Sequence, residues 1–301
     1  MTALRKVAAV TATAIFVQIL LGALTRLTDS GLSCPDWPLC YGLWFPSPAE
    51  LTALEADYTF GQVMVEWTHR FNAAVLVGPL TLALLVMAWR KRREVSTIFK
   101  VMVAAAVLLL IQAGLGGFTV LDRNSPWSVA GHLSVALVLL ALVVHAYMLA
   151  RSPDDPRKGA GHALVWPAAV LALVTVASGA MVAKSGASLT CASWPLCDGG
   201  VIPDLSDPGI ALNFGHRVLA LATAVIVAVL WAVARRGEHT PFRRAGNMAL
   251  SVLVLQVLFG AGVIYVFSGD GLWPRVLVGI IHQAIGVLLF TNLAVMARLD
   301  A

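Results

Sequence analysis

Charge is what this sequence has least of. Of its 301 residues only 12% are Asp, Glu, Lys or Arg, against 59% hydrophobic, and the mean hydropathy is +0.83. That balance excludes a water-soluble domain around a large core and marks an all-α integral membrane protein. No polar stretch is long enough to form a separate soluble domain. No small-x-small cleavage site follows the first apolar segment, so the expectation is that it stays, as its counterpart at 163–183 does. Cysteine is sparse too, at four.

What is present is apolar and regularly interrupted. Eight segments are long enough to span a bilayer, at roughly 7–25, 64–89, 98–119, 130–150, 163–183, 212–234, 246–267 and 276–297. Lys and Arg gather at one set of their ends, fifteen (Arg5 and Lys6, the Arg90–Arg93 run and Arg298 among them) against six at the other. This bias places both termini in the cytoplasm of a multi-pass protein of the cell (inner) membrane. The net charge of +5 and pI near 9.3 therefore report topology, and no nucleic-acid partner is implied. The lipid bilayer is the partner that composition demands.

The chain repeats. Gly22, Cys34, Trp37 and Cys40 recur 157 residues later as Gly179, Cys191, Trp194 and Cys197, while His69 recurs as His216 and His132 as His282. The expected architecture is eight transmembrane helices as two tandem four-helix bundles, residues 1–158 and 159–301. Each odd-numbered span carries Gln or Thr, three residues, then Gly and a small residue: Gln18–Gly22, Gln112–Gly116, Thr175–Gly179 and Gln256–Gly260. At i,i+4 both members lie on one face. Two compatible readings are close helix packing through small residues and room for a flat ligand.

Four of the seven histidines, His69, His132, His216 and His282, sit one per even-numbered span, each within about two turns of its outer end. His145 lies thirteen residues beyond His132, roughly 20 Å deeper at 1.5 Å per residue, and reads as structural or interfacial. His162 and His239 fall in or beside inner loops and read as solvated. Four imidazoles at one depth, two per repeat, point to two metal centres with two histidines each. Without carboxylate or thiolate partners they suit the axial positions of haem iron, where the porphyrin supplies four ligands. A copper or zinc site and the proton relay of a transporter are the rival readings.

Ionisable groups at membrane depth are costly and mark interior sites. In Glu66-Trp67-Thr68-His69-Arg70 a carboxylate precedes the histidine by three residues; the second copy, Asn213-Phe214-Gly215-His216-Arg217, has an amide there. A carboxylate can accept a proton and an amide cannot. The first-half site thus reads as catalytic through Glu66, and the second as a permanent cofactor site. Helix capping or pairing with Arg70 is the alternative role for Glu66. The cysteines sit in outer loops with identical gaps, which favours Cys34–Cys40 and Cys191–Cys197 disulfides, with a four-thiolate zinc site as the rival.

The Glu66-Trp67-Thr68-His69-Arg70 motif, Ser30-Gly31-Leu32-Ser33-Cys34-Pro35-Asp36-Trp37-Pro38-Leu39-Cys40, the second Trp194-Pro195-Leu196-Cys197 and the four histidines together resemble the haem A synthase family over essentially the whole chain. The resemblance implies oxidation of the methyl group at position 8 of haem O to the formyl group of haem A, by successive hydroxylations and loss of water, for terminal cytochrome oxidases. It implies a b-type haem cofactor (iron-protoporphyrin IX) on His216 and His282, and the substrate haem on His69 and His132. A haem O synthase and cytochrome oxidase assembly factors are the implied partners; a homo-oligomer is left open. The rival functions are a di-haem b-type electron-transfer protein and a haem transporter or chaperone.

Overall fold

The computed structural model describes residues 1–151, 162–197, 199–237 and 240–299. Ten α-helices are present among them: α1 (Thr2–Leu27), α2 (Pro48–Ala53), α3 (Phe60–Asn72), α4 (Gly78–Arg90), α5 (Ser96–Leu121), α6 (Pro126–Arg151), α7 (His162–Lys184), α8 (Pro208–Arg236), α9 (Thr240–Phe267) and α10 (Leu272–Met296). There is no strand among the described residues, and the two isolated bridges, Cys40 with Leu43 and Cys197 with Gly200, lie in the cysteine loops. Eight spans, with α3 and α4 counted as one, are long and apolar enough to cross a membrane. The expected boundary at 158/159 and His239 lie outside the described residues.

Three helices, α2, α3 and α8, begin at capping side chains, α3 and α8 several residues outside their apolar runs. Asp207 accepts from the backbone N–H groups of Gly209 and Ile210, and Pro208 fills the first turn of α8, where a missing N–H costs nothing. Thr59 and Gln62 form a reciprocal capping box at the start of α3, and Ser47 and Glu50 do the same for α2, the short helix within the first outer loop.

Between α3 and α4 the chain widens into a π-helical segment, Ala73–Val77, with the Gly78 N–H bonded to the Ala73 carbonyl five residues back. Pro79 explains it. Proline has no N–H to give Val75, and its ring would strike that carbonyl in a regular helix. The position 147 residues on is Ile226, and α8 runs there without interruption.

Within each half the helices touch in cyclic order. In the first half α1 packs on α3 and α4, α4 on α5, α5 on α6, and α6 back on α1; in the second, α7 on α8, α8 on α9, α9 on α10, and α10 back on α7. The halves then meet through α1 and α6 against α7 and α10, and one hydrophobic cluster runs through both. Hence α6 and α10 are the most buried spans, while α5 and α9 present most of their surface outward.

Candidate functional site

The glycines of the repeated stripe do not face empty space. A Cβ on Gly22 would stand 3.3 Å from Nε2 of His69, and one on Gly116 3.3 Å from Cε1 of His132. On Gly179 it would be 3.0 Å from Cε1 of His216, and on Gly260 3.2 Å from Cε1 of His282. Each missing side chain admits the imidazole of the neighbouring even-numbered span, so packing and site-building are the same feature.

The polar residue four positions earlier serves the same histidine or its helix. The Gln112 and Gln256 amides lie 3.3 Å from Nε2 of His132 and His282. Gln18 donates to the backbone carbonyl of His69 at 2.9 Å and accepts from Asn72 at 2.7 Å. Thr175 meets the Thr223 hydroxyl at 2.8 Å, while Ser178 holds Nδ1 of His216 at 2.8 Å. Sequence reasoning missed Ser178. Its only signal was a hydroxyl beside the stripe glycine.

His69 and His132 line one cavity of about 680 Å³, together with Gln18, Gly22, Gln112 and Glu66. That volume lies within the roughly 300–1,000 Å³ of small-molecule sites. Its outward wall includes Val75 and Leu110, both exposed. Its roof is the first cysteine loop, where Trp37 lies on Gly117, 3.1 Å from where a Cβ would be. His216 and His282 are close enough to interact electrostatically, as are His69 and His132.

Both cysteine loops are closed as Cys34–Cys40 and Cys191–Cys197 disulfides, with no free cysteine. The thiolates a four-cysteine zinc site needs are consumed, which sets that rival aside. Each loop is clamped from below by the arginine that follows a histidine. Arg70 donates to the carbonyls of Asp36, Leu39 (2.7 Å) and Cys34 (2.9 Å); Arg217 donates to those of Ser193 (2.7 Å), Leu196 (3.1 Å), Pro195 (3.3 Å) and Cys191 (2.6 Å). Sequence reasoning had weighed Arg70 as a partner of Glu66 but had tied neither arginine to a cysteine loop. Within the first loop, burial raises the Tyr41 hydroxyl pKa above its ordinary value, and the negative field of Asp57, Glu66 and Asp36 adds to it.

Glu66 and Asn213 do the same mechanical task with opposite polarity. Glu66, 4% exposed, accepts from the Cys34 N–H (2.9 Å) and the Ser33 hydroxyl (3.1 Å) on one oxygen and from Arg70 (2.6 Å) on the other. Asn213, 5% exposed, donates to the Ala187 and Ser188 carbonyls (2.7 and 3.2 Å) and accepts from Arg217 (3.0 Å). The Arg70 pairing weighed from sequence is therefore present, with the carboxylate buried and the guanidinium half-buried. Glu66 also borders the cavity.

The donor set fits a porphyrin-bound iron. Nδ1 of His132 and of His282 is buried without a hydrogen-bond partner, and Ser178 engages only one nitrogen of His216. Among the described residues no group of three or more His, Cys, Asp or Glu could enclose a metal ion. Two imidazoles per site therefore suit an ion that arrives with its own equatorial ligands.

A family model described as cytochrome oxidase assembly protein matches residues 5–294. Among curated proteins the chain is similar to the haem A synthase of Symbiobacterium thermophilum, 32% identical over 274 residues, 87% of this chain and 85% of that one. It is 27% identical over 299 residues to that of Alkalihalophilus pseudofirmus, covering 96% and 95%. To that of Halalkalibacterium halodurans it is 29% identical over 289 residues, covering 92% and 90%.

Proposed function

The chain belongs to the family of cytochrome oxidase assembly proteins, and from that premise we propose that it acts as a haem A synthase. It is an oxidoreductase of the membrane that converts haem O to haem A. Two hydroxylations of the ring methyl at position 8, each a two-electron oxidation that needs an oxidant from outside the chain, would give a geminal diol, and loss of water would leave the formyl group. The observation that carries the reading is the four-fold cradle: four histidines, two per half, each seated against the glycine of a neighbouring span.

His69 and His132 hold the substrate haem O in the first-half cavity. His216 and His282 would hold a resident haem b in the second half; Ser178 fixes the His216 ring through Nδ1, which would leave its other nitrogen for the iron. When bound, that haem supplies one-electron chemistry. Glu66 borders the substrate and accepts a proton during the oxidation, while anchoring the roof. The termini lie in the cytoplasm of the cell membrane, and the haem sites and cysteine loops lie near its outer face. Haem O comes from a farnesyl-adding synthase.

The test is chromatography of extracted haem after co-expression with a haem O synthase. The wild type should yield haem A. Glu66→Gln should keep its resident haem and accumulate haem O or a hydroxylated intermediate. Haem A from Glu66→Gln at near wild-type yield would reduce Glu66 to a loop anchor. Unmodified haem alone from the wild type would favour an electron carrier or haem-handling protein.

A further inference from the structure

Gln18, Gly22 and Arg26 follow one another at i,i+4 on α1, and all three line the first-half cavity. The first two positions recur on the other odd-numbered spans, as Gln or Thr and as Gly. Arg26 does not: the equivalent positions are Val120, Ala183 and Ile264. Its Nη2 donates to Oε1 of Gln283 at 2.6 Å, an uncharged partner, and its Nε is buried with none. The ion pairs among the described residues are Arg70–Glu66 and Lys91–Glu94, so no carboxylate of those residues neutralises Arg26. Asp29, exposed at the cavity's rim, makes no ion pair with it. Lys184, at the end of α7, reaches the same cavity.

A half-buried guanidinium that lines a cavity with no counter-ion, its Nε buried and unpartnered, is disfavoured. Arginine's planar fork is matched to carboxylate. We propose that Arg26, with Lys184 on the wall of the same cavity, binds the carboxylate side chains of the tetrapyrrole substrate and so sets its orientation. The proposal rests on the haem-substrate reading. Arg26 lies one helical turn, about 6 Å, from the glycine behind His69, so the carboxylate edge of the ring points to the outer end. The methyl at position 8 shares a pyrrole with one of those carboxylate chains. Holding that chain therefore holds the reacting carbon, which makes Arg26 a positioning residue.

The test is a ratio measured within each variant. Iron protoporphyrin IX and its dimethyl ester are titrated into the purified full chain, and the first-half event is identified as the absorption change lost in His69→Ala. The wild type should bind the free acid roughly tenfold or more tightly than the ester, the scale of one charge-assisted hydrogen bond. Arg26→Gln should bring the ratio near one, and Lys184→Gln should lower it severalfold. A wild-type ratio in Arg26→Gln overturns the assignment; if that variant does not accumulate, a wild-type ratio in Lys184→Gln does. Absence of any His69-dependent binding to the wild type overturns the haem-substrate reading itself, and this proposal with it.

Discussion

At Gly179 the free space is smaller than a methyl group: a Cβ would lie 3.0 Å from Cε1 of His216 and 3.5 Å from its Nε2. Gly215, the residue before that histidine, has nothing within 4 Å of its would-be Cβ. Gly179→Ala should push the ring from its place at a cost of about 1–3 kcal/mol, typical of overpacking. The haem-to-protein absorbance ratio of purified protein should fall, while Gly215→Ala leaves it unchanged. Equal haem content in both variants would show that the glycine is not part of the cradle. The Gln/Thr-to-Gly stripe was legible in the sequence because i,i+4 spacing is a property of one helix. What fills the gap was not, because it comes from a neighbouring helix, as His216 reaches Gly179. Likewise the Glu66–Asn213 difference was visible, but not that both side chains hold the approach to a loop.

At the scale of elements, the cysteine loops depend on the helices beneath them. Arg217 alone satisfies four carbonyls of the second loop, and bonds to a charged donor each contribute roughly 1.5–3 kcal/mol. Arg217→Met should let the loop open more often, so that Cys191–Cys197 is reduced by dithiothreitol at least tenfold faster than in the wild type. Mass spectrometry of alkylated peptides reads this directly, with Cys34–Cys40 as the internal reference. An unchanged rate would mean that the disulfide alone shapes the loop. The cysteine pairing was readable from equal gaps. The clamp was not, because its acceptors are backbone carbonyls, which leave no mark on sequence. The π-helical turn was half legible: Pro79 announces trouble in a span, but wider winding, a kink or a break would each answer it.

For the whole molecule, the two halves are alike in helix order and unlike in chemistry. Among the described residues, only the first has the π-helical turn, the carboxylate three residues before its histidine and the stripe arginine. The histidine pairs should therefore separate by experiment. His216→Ala or His282→Ala should remove most resident haem from purified protein; His69→Ala or His132→Ala should abolish haem A formation while most of it remains. Equal loss of resident haem from all four would contradict the division. Eight spans and the repeat were evident from hydropathy and recurring residues. That α6 and α10 would be the central spans was hidden, since α5 and α9 are just as apolar and only the meeting of the halves decides which faces are covered.

The arginine clamp has a consequence for supply. The roof of the first-half cavity is tied by Arg70 to α3, the helix that carries His69. The cavity's outward wall is Val75 and Leu110, side chains suited to acyl chains. On the proposed reading, a substrate with a long hydrocarbon tail would change places there with lipid and not with water. Its arrival is then two-dimensional traffic, paced by how many haem O molecules occupy each unit of membrane area and not by their concentration in the surrounding solution.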